Sequence, residues 1–238
     1  MGLSNHNQSA PKTFINIVGG RLAVKAKSKD DVSPSGVQAK TRISTNKSTG
    51  EQKEVHEFIY NDVSGILESV VVEKNETLKA YQYLITIDDV GDKYVISIPA
   101  DSKYGDSFVT KLMNVKKGEY IKIAPYDFED AKKPNPHTGK PQRLVGVTIT
   151  QNDVKLQPYY TKETPNGRPV PESEKMDEDD FKSYMIKVRK FYRGQVDVWN
   201  LKEGQVEQPK PEPQGEKPNL NAPKINEPEI DEESGLPF

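Results

Sequence analysis

The chain has no cysteine among its 238 residues. That excludes disulfides, thiolate metal sites and a cysteine nucleophile, and it fits a reducing compartment. Long apolar runs are missing too. No stretch approaches the roughly eighteen residues needed to cross a bilayer, and Met1 to Lys12 is polar, without the apolar core of a leader. The expectation is a soluble, cytoplasmic protein. Catalytic patterns are equally scarce. His6, His56 and His137 show no metal-ligand spacing, and there is no His-x-Glu, Gly-rich phosphate loop or Gly-x-Ser-x-Gly. The acids sit mainly in turns and tails, where solvation accounts for them. Neither an enzyme, nor a cofactor, nor a metal site is expected.

Charge of both signs is present, unevenly distributed. Charged residues make up 29% of the chain and apolar residues 33%, so part of the length cannot bury itself. The formal net charge is −2; residues 203–238 hold nine acids against three lysines, a net −6, which leaves +4 on residues 1–202. A modestly basic body with an acidic tail suits a protein that handles nucleic acid. The same segment carries seven prolines, spaced so that neither helix nor internal strand can run between them. It reads as an extended tether of about 3.1 Å per residue where polyproline-like.

Upstream the pattern has period two. Strands are expected at Thr13–Val18 and Leu22–Lys25 around Gly19-Gly20, then at Val37–Ser44, Val55–Tyr60, Ile66–Glu73, Tyr81–Ile87 and Tyr94–Ile98. Phe108, Leu112 and Val115 mark a short amphipathic helix over Tyr104–Val115, closed by Lys116-Lys117-Gly118. Strands resume at Glu119–Phe128 and Arg143–Thr150, and Val154–Gln157 extends the second. A second helix follows the acids of Asp177–Asp180, with Phe181, Tyr184, Met185 and Val188 as its apolar stripe and Phe191, Tyr192, Val196, Val198 and Trp199 continuing its apolar content, and it is expected to dock on the barrel or on another copy of the protein. The expected class is mainly β: an OB-fold-like Greek-key barrel with one inserted helix, a following amphipathic helix and a disordered acidic C-terminal tail. A β-sandwich satisfies the same strand signal. The expected organisation is a disordered start (1–12), the barrel (13–160), a connector with its helix (161–202) and the tail (203–238).

Alternation along Glu119–Phe128 sorts Tyr120, Lys122, Ala124, Tyr126 and Phe128 onto one face, with Ile121 and Ile123 on the other. Rings stack on bases whatever the sequence, and lysines between them neutralise phosphates. Lys40 and Arg42 share a face of Val37–Ser44 and offer a second track for a phosphate backbone. Lys47 and Lys53 decorate the polar loop that follows, while Lys132, Lys133, Lys140 and Arg143 lie in or beside a fourteen-residue connection, Glu129 to Gln142. A loop that long between two strands is uncommon without a role. Packing and solvation explain any one of these residues alone. The tyrosines Tyr81 and Tyr83 read as core beside Ile85 and Ile87, Phe58 and Tyr60 stay ambiguous, and Tyr159, Tyr160 and Lys162 extend the groove.

The chain ends Asp231-Glu232-Glu233-Ser234-Gly235-Leu236-Pro237-Phe238. Carboxylates followed by a small apolar tip cannot pack on themselves and read as a ligand for another surface. This end resembles the acidic tail of single-stranded-DNA-binding proteins of bacteria and their phages, through Asp231, Glu232, Glu233, Leu236, Pro237 and Phe238; Ser234-Gly235 interrupts the continuous acid run of the bacterial family. The resemblance implies a body that coats and protects single-stranded DNA during replication, recombination and repair, in the host cytoplasm if the chain is viral. It also implies a tip that recruits replication and repair proteins: polymerase, helicase, primase or nuclease. Two alternatives stay open: an interaction or structural module that touches no nucleic acid, and a strand-annealing recombination protein.

Overall fold

The structure, a computed structural model, describes residues 11–201 except 46–48, 77–78, 135–138, 140 and 174, with backbone alone for 131–133. The tail 203–238 with its tip, the start 1–10, Lys47 and Lys140 lie outside the described residues. The described part falls in one unit, which runs to Glu203.

Strand β1 (Lys12–Val18) and β2 (Arg21–Lys25) form a hairpin over Gly19-Gly20, both at positive φ. β3 (Lys40–Thr45) and β4 (Gln52–Tyr60) form a second, and β5 (Val63–Asn75), β6 (Ala80–Asp89) and β7 (Asp92–Pro99) a meander. Helix α1 (Lys103–Leu112) precedes the hairpin of β8 (Tyr120–Pro134) and β9 (Pro141–Gln151); β10 (Val154–Lys155) and helix α2 (Glu178–Leu201) complete the order. The ten strands found among the described residues join one sheet in the order β10-β9-β8-β5-β6-β7-β1-β2-β4-β3. Its pairs are antiparallel apart from β1 with β7, which run parallel.

β5 bends the sheet into a curl. Gly65 adopts φ 151° with the Asp88 carbonyl in the space a Cβ would fill, and the register shifts between Leu67 and Ser69. The strand therefore pairs with β8 through Val63–Ile66 and with β6 from Ile66 to Asn75. Its two partners wrap a core of Leu67, Val70, Tyr83, Ile85, Ile96, Ile121, Ile123 and Ile149. The β1–β2 turn meets β8: the Gly20 N–H donates to the Tyr104 hydroxyl at 2.9 Å, and a Cβ on Gly20 would collide with the Asp127 backbone.

Helix α1 starts where the Ser102 hydroxyl accepts the Gly105 N–H, and it buries Phe108, Val109 and Leu112. It also covers the edge of β9. The Ser107 hydroxyl accepts the Val147 N–H at 3.1 Å and donates to the Val147 carbonyl, so the backbone groups of Val147 on this edge are paired by the helix and not by a further strand.

The structure corrects several expectations. Helix α1 ends at Leu112, before Lys116-Lys117-Gly118, because the Asn114 and Val115 amides turn back onto Lys111 and Leu112 and so tighten the last turn. In α2 the buried stripe is Val188, Tyr192, Val196 and Trp199, and Phe181 is exposed. The helix packs on α1 and β5 with that later stripe; Trp199 donates to the Val115 carbonyl and Asn200 to that of Val70. Each such buried side chain contributes roughly 1.5–3 kcal/mol. Tyr160 is core, not groove: it packs edge-on against Phe191 and donates to Gln195. Tyr83 is buried as expected, whereas Tyr81 is partly exposed at the strand's start, under the Arg193 guanidinium 4.2 Å away.

The largest correction concerns the connection Glu129 to Gln142. The β8–β9 ladder continues through Glu129↔Arg143 and Asp130↔Gln142 to Pro134↔Pro141, so the two strands are six residues apart in sequence and not fourteen. Prolines and a polar run hid these strand ends, since no apolar alternation marks a ribbon that covers no core.

Among the described residues, no helix is long and apolar enough to cross a membrane.

Candidate nucleic-acid interface

The outer face of β8, turned away from Ile121 and Ile123, carries Tyr120, Lys122, Ala124, Tyr126 and Phe128 in alternation. Tyr120 and Phe128 are each 52% exposed, Lys122 is exposed and Tyr126 is half-buried. Cross-strand neighbours set what surrounds them. Lys122 lies between Ser64 of β5 and Thr150 of β9, with no acid directly across. Tyr120 pairs with Ile66 and its hydroxyl donates to Ser64 at 2.9 Å, which fixes one edge of the ring and leaves the face open. Tyr126 lies opposite Gly146, and its hydroxyl occupies the space a Cβ there would fill. That absent side chain lets the ring lie across β9 towards α1. The Tyr126 and Phe128 centroids are 5.8 Å apart at 48°, a tilted pair of the usual aromatic geometry. The strip is thus two exposed rings, a half-buried third and a lysine free of ion pairs among the described residues.

Arg143 does not join them. It lies opposite Glu129, on the face of Asp127, and its guanidinium grips the Asp127 carboxylate with two bonds of 2.7 Å. Those hydrogen bonds hold the Asp127 carboxyl below its ordinary range, and the Tyr104 hydroxyl adds to the effect. The ion pair ties the β8–β9 ribbon to the β1–β2 turn through Tyr104 and Gly20. The backbone of Lys132 and Lys133 lies in β8, and their side chains are outside the described residues.

Lys40, Arg42 and Lys53 share the outer face of β3 and β4, far along the sheet order from β8. Arg42 donates to Glu57 at 2.6 and 2.9 Å, and the Glu57 side chain is only 7% exposed. Hydrogen bonding to that carboxylate raises the Arg42 pKa against the cost of burial. Glu57 also lies directly across from Lys40 on one side and Lys25 on the other. Lys40 and Lys53 are exposed and form no ion pair among the described residues.

Sequence reasoning left Phe58 and Tyr60 unassigned. They alternate with His56 on the inner face of β4, where His56 bonds the Thr41 hydroxyl at 2.9 Å and both rings line a cleft of ≈ 550 Å³. Tyr94 and Ile15 line the same cleft. The ring alternation on β4 was visible; that this face, while Tyr60 packs against the core, also borders an opening was not.

Among the described residues, no group of three or more His, Asp or Glu is placed to hold a metal ion. No family model, curated protein or solved structure matches this chain.

Proposed function

We propose that this chain is a single-stranded-DNA-binding protein that coats exposed strands and recruits replication and repair proteins through its C-terminal tip. The observation that carries this reading is the outer face of β8, where exposed Tyr120 and Phe128 flank Lys122 and Tyr126 with no acid directly across from the lysine. Ring faces take bases of any kind at about 1–3 kcal/mol each, and a free lysine neutralises a phosphate. The finer fold reading is an OB-like barrel built from β5, β6, β7, β8 and β9 with α1 between the third and fourth. The pairs β5–β6, β6–β7, β5–β8 and β8–β9 support it. This chain departs from that plan where β1 takes the parallel place beside β7 and Ser107 covers the edge of β9.

The tail supports the second half of the proposal. Asp231, Glu232 and Glu233 steer encounter, and Leu236, Pro237 and Phe238 enter an apolar pocket on a polymerase, helicase, primase or nuclease. The acids also compete with DNA for the cations of the body, so deletion of 203–238 tightens binding at low salt. Anisotropy titration of labelled oligo-dT, a matching duplex and an RNA homopolymer at several salt concentrations tests the reading. Preference for the unpaired strands, weakening with salt, is expected; absence of oligo-dT binding at low ionic strength overturns it. A second reading, an interaction module that touches no nucleic acid, draws support from Arg42 and Arg143, whose charges are committed to Glu57 and Asp127. Retention of DNA that is unchanged by Lys122→Ala favours that module.

A further inference from the structure

We infer that the cleft between β4, β7 and the start of β5 docks an extended segment of a partner protein that presents a lysine or arginine beside an apolar side chain. The cleft lies on the inner face of the sheet and meets the β8 strip only at Ser64, which accepts from the Tyr120 hydroxyl; none of the rings that line it belongs to the proposed DNA-binding face. Its floor is apolar, from Ile15 and Leu22, and its walls are the rings of Phe58, Tyr60 and Tyr94. At ≈ 550 Å³ it has the size of a small-ligand cleft, which admits two or three side chains and not a folded domain.

Charge selects among possible occupants. Three carboxylates, Asp62, Asp89 and Asp92, belong to its lining. Among the described residues the one lining cation is Lys93, and it is already committed: its ammonium lies 2.6 Å from Glu68 and 3.8 Å from Asp88. Lys12, its neighbour in the parallel ladder, lies with it on the outer face. The opening is therefore negative around an aromatic interior. The Tyr94 hydroxyl responds to that field: burial first, then Asp92 and Asp89, push its pKa up. A phosphate backbone meets repulsion here, and an acidic peptide does too. A lysine or arginine gains both the carboxylates and the ring faces, which attract cations through their quadrupoles, while an adjacent apolar side chain covers Ile15 and Leu22.

The test is a heteronuclear NMR titration of the full chain with three probes: the amidated peptide acetyl-Leu-Lys-Val-Arg, its counterpart acetyl-Leu-Glu-Val-Glu, and a ten-residue oligo-dT. The cationic peptide should shift the Tyr60 and Tyr94 resonances saturably and lose affinity in 0.5 M salt, on the order of the Debye screening expected there. The double variant Asp62→Asn, Asp92→Asn, at two exposed positions, should weaken it by about tenfold or more while its spectrum stays folded. Saturable shifts by the acidic peptide or by oligo-dT at equal affinity overturn the proposal, as does the absence of a saturable shift with several millimolar cationic peptide. Oligo-dT shifts confined to Tyr120 and Phe128 report separately on the DNA-binding reading, so either idea can fail without the other.

Discussion

Strands β8 and β3 carry the same sequence device, cations alternating with other side chains on an outer face, yet the molecule treats their charges differently. On β3 the neighbouring strand supplies Glu57, almost sealed from solvent, and Arg42 is bound to it bidentately. On β8 the cross-strand neighbours of Lys122 are a serine and a threonine, and the ammonium stays exposed. Rings accompany Lys122 and not Arg42. An alternating strand therefore states which side chains share a face, but the partner strand decides whether a charge serves the fold or faces outward.

The largest expected effect lies in the rings. The double variant Tyr120→Ala, Phe128→Ala removes two stacking surfaces worth at least about 1 kcal/mol each, so oligo-dT affinity should fall by roughly 30-fold or more. Both side chains are half in solvent, so the thermal midpoint should move little. Affinity within a factor of two of the parent would remove the β8 strip from the interface. The next effect separates the two cations. Lys122→Ala should weaken binding roughly fivefold and flatten the salt dependence by about 0.7 in log–log slope, with stability unchanged. Arg42→Ala should do the reverse: DNA affinity is held, and urea unfolding loses about 1–2 kcal/mol, because Glu57 keeps its burial without its guanidinium. The figure sits below that for a fully buried pair since Arg42 is 39% exposed. Equal loss of affinity in both variants would erase the distinction.

Acid probes a further cation of this kind, Arg143. Its Asp127 partner has a lowered pKa in the folded state, so the contribution of that pair is complete above the ordinary aspartate range near pH 4 and is lost as pH falls through the lowered value. The thermal midpoint should fall by a few degrees more over that acid limb in the parent than in Asp127→Asn. Parallel acid limbs would show that the ribbon is not anchored through this pair.

How much of this was readable beforehand follows from the same logic. The mainly β character, the Gly19-Gly20 turn and the common face of Tyr120, Lys122, Tyr126 and Phe128 followed from period two, which is a local property. Arg143 was grouped with the basic loop because sequence distance, not register, was available; the ladder turns it to Asp127 instead. The ribbon beyond Phe128 escaped because its strands cover no core and its ends are prolines. Tyr160 is assigned to the groove by sequence for a long-range reason: it is sealed by Phe191 and Tyr192, some thirty residues on, and no local pattern encodes that contact. Glycine gave two signals that could have been used. Gly65 marks the bend of β5, and Gly146 makes room for Tyr126.

The smallest effect is also the most direct conversion of one strand into the other. Glu57→Gln leaves a hydrogen-bond acceptor for Arg42 but removes the carboxylate that also faces Lys40 and Lys25 across the ladder. Arg42, Lys40 and Lys25 would then lose the carboxylate they surround on that face. Their mutual repulsion is screened at the surface, so the stability loss should stay near 1 kcal/mol. If bound DNA runs along the outer face of the sheet as far as β3, the freed charge should strengthen oligo-dT binding about two- to threefold and steepen its salt dependence by about one contact's worth. If the strand is held by β8 alone, affinity and slope should match the parent. Either result fixes the length of the track, because the substitution alters the charge of the β3 face and leaves the rings of β8 untouched.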